Sequence, residues 1–217
     1  MNTNILSFLT PEQKQQIEEI QFAVEFTKGE NIFKQGAPML HIIVIDNGMV
    51  KIFLEDGDHK NIVFKLIQSG EIICGPGFLT DYKHHFSVAA MEDTTAYFIE
   101  IGAFEKLILD NSKFAIKMIA YRNRAHIGIY SKFKVITHRQ MNGRMADTLI
   151  YLSESIYKSD NFETKLTRQD LADMSAMAKE SAIRILTDFK NSGLINFNTN
   201  KFEILNKSAL NKILNNG

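Results

Sequence analysis

The chain has 217 residues, enough for two modest domains with hydrophobic cores, and its formal net charge at pH 7 is zero. With 45% hydrophobic and 23% charged residues, its composition is typical of a soluble globular protein. No stretch approaches the ~18 continuous apolar residues of a membrane span, and residues 1–4 do not begin a signal peptide, so we expect a cytoplasmic protein. The single cysteine, Cys74, excludes an internal disulfide framework and a four-thiolate metal site.

The charged residues are distributed unevenly along the chain. Residues 1–110 hold 8 basic and 16 acidic side chains, and residues 111–138 hold 6 basic and no acidic ones. Residues 139–217 hold 11 basic and 9 acidic side chains. An acidic front and a basic remainder favour a protein whose rear half meets phosphate groups.

The first predicted domain, residues 1–110, combines a short helix with a β domain. Thr10 and Pro11 indicate a helix start, because they supply a capping side chain and a proline at the first helical position. Short alternating segments separated by turns then predict at least seven strands between about residues 22 and 100, with a strong hairpin signal at Asp56-Gly57-Asp58. Strands at this spacing predict a jelly-roll sandwich or barrel.

Residues 111–138 predict one long helix, because they contain no proline and a single glycine. Seven of its residues recur at alternating four- and three-residue steps: Ala115, Ile119, Arg122, His126, Ile129, Phe133 and Ile136. This heptad seam predicts a homodimer through the helix. Because Arg122 and His126 interrupt the seam, we expect its middle to be weaker or to serve another contact. The opposite face, with Phe114, Met118 and Tyr121, is expected to pack along the chain's own β domain.

Two short helices separated by a tight turn are predicted within the third domain, residues 139–217. Thr167 is a good N-cap for the first, with Asp170 three residues later, and Ser175-Ala176-Met177 breaks the helical pattern. The second helix extends from about Ala178 to Ser192, and Gly193 suits a left-handed cap. Its predicted buried stripe comprises Ala182, Ile185, Leu186 and Phe189. This arrangement fits a DNA-reading helix-turn-helix, with an ordinary helical pair in a globular core as the alternative.

The segments around the two helices complete a winged helix. Residues 142–152 begin the first helix of this domain, and residues 158–162 form a polar connector. Residues 194–197 and 202–205 alternate as strands and predict the hairpin wing. The predicted fold class is therefore α+β, with a jelly-roll β-roll, a dimerisation helix and a C-terminal winged helix-turn-helix.

Two motifs, residues 167–172 (Thr-Arg-Gln-Asp-Leu-Ala) and residues 179–186 (Lys-Glu-Ser-Ala-Ile-Arg-Ile-Leu), resemble the DNA-binding signature of the Crp/Fnr superfamily of bacterial transcription regulators. Glycines 29, 36, 48, 57 and 70 between the strands resemble the superfamily's cyclic-nucleotide-binding fold. The resemblance covers nearly the whole chain and implies a hinge at residues 138–140. It also implies three partners: double-stranded DNA with a palindromic site, a second copy of the chain, and RNA polymerase.

The resemblance extends to the side chains that would contact DNA. Arg184 can donate two hydrogen bonds to guanine and Glu180 can accept one from a cytosine amino group, and both match base-reading positions of the superfamily. Lys179 stands where the cyclic-AMP-responsive members carry an arginine, and a lysine there suits a phosphate as well as a base. Three further residues match positions that touch phosphates: Arg168, Gln169 and Ser181.

The effector region departs from the cyclic-AMP-responsive members. Their phosphate-binding cassette needs a Gly-Glu pair and a downstream Arg-Ser pair, and the matching positions here are Cys74-Gly75, in a glycine-rich bend that continues to Gly77, and Phe86-Ser87. No basic residue stands at the arginine position, so a buried phosphate would lack a partner. Ile129 aligns with the threonine that meets the adenine. The sequence therefore argues against cyclic AMP and leaves the effector unidentified.

A haem-based gas or redox sensor is the alternative. Residues 69–74 resemble the segment of the carbon-monoxide-sensing member that supplies a cysteine ligand, which makes Cys74 a candidate haem ligand. The histidine ligand of that member is replaced by Pro76, and His84, His85 or His126 are candidates to substitute for it. A lone buried cysteine is otherwise a small apolar residue. A regulator that works without any ligand is the remaining possibility.

Enzyme activity is not indicated by the sequence. The chain has no Gly-x-Ser-x-Gly, P-loop or His-Glu-x-x-His motif and no paired-cysteine metal spacing. The acidic residues Asp56 and Asp58 beside His59 are explained by hairpin turn chemistry. We expect no catalytic residues and no protein-bound metal ion outside a haem.

Overall fold

The computed structural model describes residues 5–55 and 61–216. Residues 1–4 and the predicted turn at Asp56-Gly57-Asp58, with His59, lie outside the described residues. The chain divides into two compact units, residues 5–55 with 65–128 and residues 61–64 with 129–216. The division predicted after residues 110 and 138 stays a prediction. In the ranges that the structure describes, no helix is both long and apolar enough to cross a membrane.

The first unit contains most of the strands. Its elements, in chain order, are a 3-10 turn (Ile5–Phe8), α1 (Pro11–Ile20), β1 (Phe22–Phe26), β2 (Asn31–Phe33), β3 (His41–Asn47), β4 (Met49–Leu54), β5 (Ile62–Gln68), β6 (Ile72–Ile73), β7 (Ser87–Ala90), β8 (Thr94–Glu100), α2 (Ile101–Asp110) and the long helix α3 (Ser112–His138). Both β5 and α3 begin in one unit and end in the other.

Two four-stranded sheets form the β-roll, with strand orders β1-β8-β3-β6 and β2-β7-β4-β5. The central pair β3 and β8 runs antiparallel from His41 opposite Glu100 to Ile45 opposite Ala96, with a register shift beyond. The central strand β3 is buried on both faces, because residues 42–45 are all buried and successive side chains point to opposite sides. Ile42 and Val44 pack in a cluster with helix residues such as Phe104 and Phe114. These strands confirm the predicted jelly-roll β domain.

Helix α1 begins as its sequence predicts. The Thr10 hydroxyl accepts a hydrogen bond from the Gln13 backbone N–H at 3.2 Å, and the Gln13 side chain accepts one from the Thr10 N–H at 3.1 Å. Pro11 occupies the first helical position, where its missing N–H costs no intrahelical bond. The reciprocal bonds satisfy two of the donors that a helix start leaves open.

Helix α2 is an element that the sequence prediction lacks. It follows β8 without a loop, and the Glu100 carboxylate caps it by accepting from the Ala103 N–H at 3.0 Å. Phe104 is fully buried between the edges of Phe78 and Phe114. Because the apolar residues of the helix continue directly from a strand, no turn signal separates the two elements in the sequence.

The long helix α3 presents two different faces. Phe114 and Met118 are buried in the core of the β-roll, and the Tyr121 hydroxyl donates a 2.7 Å hydrogen bond to the Ile72 carbonyl oxygen. This contact confirms that one face packs along the chain's own β domain. The other face exposes large apolar side chains, among them Ile119 at 61% and Phe133 at 65%.

The second unit is mostly helical around a small sheet. It contains the end of α3, then α4 (Met141–Tyr151), a π-helical turn (Leu152–Ile156), β9 (Asn161–Glu163), α5 (Arg168–Met174), α6 (Lys179–Asn191), β10 (Ile195–Asn198), β11 (Lys201–Ile204) and α7 (Lys207–Asn216). The sheet has the strand order β10-β11-β9. The hairpin β10–β11 confirms the predicted wing.

Helices α5 and α6 confirm the predicted helix-turn-helix, including its caps. Thr167 and Asp170 form a capping box in which each side chain accepts from the other's backbone N–H, at 3.1 and 2.8 Å. Gly193 ends the second helix with φ +66°, a left-handed conformation that favours glycine. The predicted stripe of α6 is buried, with Ala182 and Leu186 at 0% and 1% exposure.

Two elements of this unit differ from the sequence prediction. Residues 161 and 162, predicted as the end of a polar connector, form β9 together with Glu163, and the central Phe162 is buried opposite Phe202. A three-residue strand is too short for an alternating pattern to reveal. Helix α7 has no predicted counterpart, although Leu210, Ile213 and Leu214 recur at helical spacing and Leu210 is fully buried.

The turn between α5 and α6 is held by α4. Ala176 adopts φ +48°, an unfavourable conformation for a residue with a Cβ atom. Arg144 donates a 2.7 Å hydrogen bond to the Ala176 carbonyl oxygen, and the Thr148 and Ser175 hydroxyls lie 2.9 Å apart in the buried interior. These contacts fix the angle at which α6 leaves the turn.

The left-handed turn predicts that Ala176→Gly stabilises the second unit by about 0.5–1 kcal/mol, because glycine removes the strain but adds freedom to the unfolded chain. Urea unfolding followed by hydrogen exchange of α5 and α6 measures the change. Ala172→Gly is the matched control, since it lies within a helix and should destabilise by about 1 kcal/mol or more. A destabilised Ala176→Gly variant would contradict the assignment of strain.

Candidate nucleic-acid interface and effector region

The burial of one face of α6 determines which side chains the helix exposes to solvent. Ile185 and Phe189 are almost fully buried, whereas Lys179, Glu180 and Arg184 are exposed. Because Glu180 and Arg184 are four residues apart, they lie on the same side of the helix, one turn from each other. The helix therefore presents one hydrogen-bond acceptor group and one two-pronged donor side by side on a surface that its packing holds in place.

The start of α6 is suited to an anion. Ala178 is the N-cap residue, and no side chain caps the first turn. Backbone N–H groups at such a start carry a partial positive charge and bind phosphate readily. Lys179 is exposed and Ser181 half-buried in this same turn, so both predicted contact residues belong to it.

The two predicted contacts on α5 have partners within the chain. The Gln169 amide nitrogen donates a 2.7 Å hydrogen bond to the carboxylate of Asp173, one turn later. The Arg168 guanidinium lies against the wing and donates at 2.8 Å to the Thr199 carbonyl oxygen. Burial lowers the pKa of Arg168 from its ordinary value. Gln169 remains exposed, whereas Arg168 is half-buried.

The predicted seam residues of α3 differ in exposure. Ile119, His126, Ile129 and Phe133 are exposed, and Ile136 is half-buried. Large apolar side chains on α3 are thus left exposed by the described part of this chain, namely Ile119, Ile129 and Phe133.

Arg122, also predicted in the seam, contacts the β-roll instead of extending to solvent. Its guanidinium donates to the carbonyl oxygens of Cys74 at 2.9 Å and Gly75 at 2.7 Å, and it lies 3.4 Å from the Cys74 sulfur. A side chain with three contacts to one bend is fixed in place. The long helix is therefore tied directly to the residues that match the start of the ligand cassette.

The second pair of the predicted cassette, Phe86 and Ser87, contacts other residues of this chain. The Ser87 hydroxyl is fully buried; it donates a 2.7 Å hydrogen bond to the Glu55 carboxylate and accepts one from the Gln35 backbone N–H at 2.9 Å. The Phe86 ring lies so close to Gly75 that a Cβ atom there would come within 3.3 Å of it. At the positions predicted to match the phosphate-binding pair, this chain thus has the Phe86 ring and a serine hydroxyl that is already bound to Glu55.

Gly77 is required by a close approach of two backbone segments. A Cβ atom at this position would collide with the Lys83 carbonyl oxygen. The Tyr82 N–H also donates at 2.9 Å to the Gly77 carbonyl oxygen, which closes the bend. Gly77 therefore shapes the bend through its backbone.

The four candidate haem ligands lie in different surroundings. Burial raises the pKa of the Cys74 thiol, and the nearby Arg122 guanidinium partly opposes this effect. His85 lies 3.0 Å from the Asp81 carboxylate, and His126 is exposed on α3. His84 is buried and stacks on Phe33 with 3.6 Å between ring centroids. Haem coordination by these residues stays a prediction.

Sequence reasoning missed the residues that position α6. Arg144 and Thr148 lie on α4, and the Lys132 ammonium on α3 pairs with the Asp147 carboxylate of α4 at 3.1 Å. Burial lowers the pKa of Lys132, and the nearby Asp147 opposes that effect. The positions of the three α4 residues could have been predicted from their spacing, since residues 144, 147 and 148 lie on one side of the helix. Among the described residues, no three His, Cys, Asp or Glu side chains assemble as metal ligands.

The buried His84 predicts an acid-sensitive β-roll. Burial lowers the pKa of His84 to about 4, and its Nδ1 atom has no hydrogen-bond partner within the described ranges. Because the unfolded chain protonates first, stability should fall as the pH drops from about 6.5 to about 4 and then level off, by on the order of 2–3 kcal/mol. His84→Phe keeps a ring in place and should flatten this part of the profile.

The free energy of unfolding of the first unit, measured between pH 4 and pH 7, checks this expectation. His85→Asn is the control, because His85 is exposed on the same segment. An unchanged slope in His84→Phe would show that another group carries the pH dependence.

Two family models match the chain. A cyclic nucleotide-binding domain matches residues 23–111, and a Crp-like helix-turn-helix domain matches residues 143–213. Among curated proteins, the anaerobic regulatory protein of Bacillus subtilis is 26% identical over 196 residues, which are 88% of this chain and 82% of the relative. The cAMP-activated global transcriptional regulator CRP of Escherichia coli O157:H7 is 21% identical over 175 residues, 79% of this chain and 83% of that protein.

Solved structures share the fold at low sequence identity. FixK2 from Bradyrhizobium japonicum aligns with a TM-score of 0.81 at 16% identity and covers 89% of this chain and 97% of its own. A CooA mutant from Carboxydothermus hydrogenoformans aligns with a TM-score of 0.79 at 16% identity over 98% of this chain and 94% of its own. With both domain models, the recognition surface of α6 and these relatives in agreement, the chain belongs to the Crp/Fnr family of transcription regulators.

Proposed function

We propose that this regulator binds a palindromic DNA site as a homodimer and reads bases with Arg184 and Glu180. The observation that carries the proposal is the exposure of both side chains, one turn apart, on a helix whose opposite face is buried. Arginine donates two parallel hydrogen bonds to the major-groove edge of guanine, and a glutamate accepts from the cytosine amino group.

Phosphate contacts would set the register of the helix in the groove. Lys179 and Ser181, at the start of α6, and Gln169, on α5, are the residues to which we assign them. Two recognition helices held by one dimer would stand about one DNA turn, roughly 34 Å, apart, which calls for half-sites with that spacing. As a transcription regulator, the protein has RNA polymerase as its expected further partner, and the cytoplasm is the compartment we assign.

The effector, in this proposal, is a small molecule other than cyclic AMP. Phe86 stands where a cyclic phosphate would need an arginine, and the Ser87 hydroxyl is already bound to Glu55. A cyclic phosphate placed beside the Glu55 carboxylate would experience repulsion between like charges.

A ligand-independent regulator is the second candidate, and the Arg122 contacts favour it. Arg122 joins α3 to Cys74 and Gly75 without any bound molecule. The two candidates differ in one measurement, the DNA affinity of protein that has been unfolded, dialysed and refolded so that no small molecule remains. We assign no enzymatic activity to either form.

We expect Arg184→Ala to weaken DNA binding by about 10- to 100-fold, or ~1–3 kcal/mol, and to relax the preference at one base pair of each half-site. The duplex for this measurement is selected by the unaltered protein from a randomised 30-base-pair pool, and fluorescence anisotropy gives the affinity. Lys212→Met on α7 is the control, because it removes one exposed positive charge elsewhere on the same unit. An Arg184→Ala protein that selects the same sequences with the same discrimination would refute the base-reading role.

Phe133→Lys should convert the dimer to a monomer, because it places a charge within an apolar seam on both copies. Sedimentation velocity at micromolar concentration measures the change, and the DNA affinity should fall with it. Ser131→Lys adds the same charge to an exposed position off the seam and should leave the dimer intact. A Phe133→Lys protein that sediments as a dimer would move the interface elsewhere.

A further inference from the structure

A row of aromatic rings crosses the small sheet of the DNA-binding unit. Tyr157 stacks on Phe162 with 4.9 Å between centroids, Phe162 on Phe202 with 5.7 Å, and Phe202 on Phe197 with 5.5 Å. The last three rings occupy paired positions of β9, β11 and β10, so they share one face of the sheet. The row therefore extends from the body of the unit to the wing, where Phe197 is only half-buried.

Arg168 covers the wing end of this row. The central carbon of its guanidinium lies 5.1 Å from the ring centroids of both Phe197 and Phe202, within the range of a cation–π contact. The same group donates a 2.8 Å hydrogen bond to the Thr199 carbonyl oxygen. A planar guanidinium can lie flat against two rings and donate from its edge, whereas a lysine ammonium is a compact point charge with no plane to stack.

The wing tip needs this support because its backbone is strained. Asn198 pairs with Lys201, which leaves a two-residue turn, and Thr199 adopts φ +39° although it is β-branched. Such a residue persists in this conformation only where its surroundings determine it. The second turn residue, Asn200, is held by a 2.7 Å bond from its amide to the Glu163 carboxylate.

A second cation fixes the wing from the recognition helix. The Lys190 ammonium, in the last turn of α6, donates at 2.8 Å to the Phe197 carbonyl oxygen and lies 5.0 Å from the centroid of the Phe197 ring. The strand β10 is thus attached to α5 through Arg168 and to α6 through Lys190. The exposed Lys201 lies at the tip that these contacts hold.

We propose that Arg168 is a positioning residue of the wing rather than a direct phosphate contact. It holds the strained tip against the helix-turn-helix, so that Lys201 meets the DNA backbone while α6 lies in the major groove. Arg168 then affects DNA binding by placing Lys201 against the DNA backbone. For this role the planar shape of the arginine side chain matters as well as its charge.

Three substitutions separate the two roles of Arg168. Arg168→Lys keeps the charge but loses the planar stacking group, Arg168→Met loses both, and Phe197→Leu removes a ring beneath the guanidinium without changing any charge. Affinity for the selected duplex is measured by anisotropy at several salt concentrations, with Lys212→Met as the charge control. Hydrogen exchange of the free proteins reports separately on residues 195–204 and on α6.

If Arg168 positions the wing, Arg168→Lys and Arg168→Met should both lose roughly 5- to 30-fold in affinity, a cation–π and hydrogen-bond effect, and Phe197→Leu should lose affinity in the same direction. Exchange in the wing should rise while protection of α6 stays unchanged. Lys201→Met should reduce the slope of log affinity against log salt by about 1 in the unaltered protein. In the Arg168→Lys background, the same substitution should have little further effect.

Other results would overturn the proposal. An Arg168→Lys protein within about twofold of the unaltered affinity, beside a weakened Arg168→Met, would identify a direct phosphate contact. Additive losses from Arg168→Lys and Lys201→Met would show that the two residues act independently. Unchanged wing exchange in both Arg168 variants would show that other contacts hold the tip. Failure of the unaltered protein to bind any selected duplex would instead refute the DNA-reading proposal.

Discussion

The burial of one stripe of α6 is the constraint on which the rest of the DNA-binding unit depends. Ala182, Ile185, Leu186 and Phe189 have almost no exposed surface, so the helix cannot rotate about its axis without uncovering them. This fixes the direction of the opposite face. Base reading in the major groove, as proposed for Arg184 and Glu180, needs side chains placed to within about 0.5 Å, and the buried apolar stripe would supply that precision without touching the DNA.

Polar contacts add to this constraint where the chain turns. Arg144 stabilises the left-handed Ala176, and Lys190 joins the end of α6 to the wing. Each contact joins a charged donor to a backbone carbonyl oxygen, a bond stronger than one between neutral groups. Because the donors come from α4 and α6, the turn, the recognition helix and the wing are held as one body.

Caps, glycines and helical periodicity made much of the fold predictable. Thr167, Asp170 and Gly193 act locally, so their effect is visible in a few consecutive residues. Helix α2 and strand β9 were not predictable, because one continues a strand without a turn and the other has three residues. The exposure of Glu180 and Arg184 also followed from spacing alone.

The sequence did not predict which side chains contact distant segments of the chain. Arg168 was interpreted as a phosphate contact, and Arg122 as an interruption of the seam whose other contact could not be named. Yet each guanidinium donates to backbone carbonyl oxygens of a distant segment, the wing for one and the bend after β6 for the other. No residue spacing encodes such contacts, since they depend on how separate elements come together in three dimensions.

The contact between Arg122 and Cys74 has a practical consequence for spectroscopy. The only cysteine of the chain is half-buried beside the Arg122 guanidinium, and burial raises the pKa of its thiol, so maleimides and other thiol reagents should react with it slowly. A cysteine introduced on the surface would then accept a fluorophore or spin label selectively in the otherwise unaltered protein. In the proposed homodimer, symmetry would supply the second label, and the distance between the two labels would report on the separation of the two α6 helices when DNA is added.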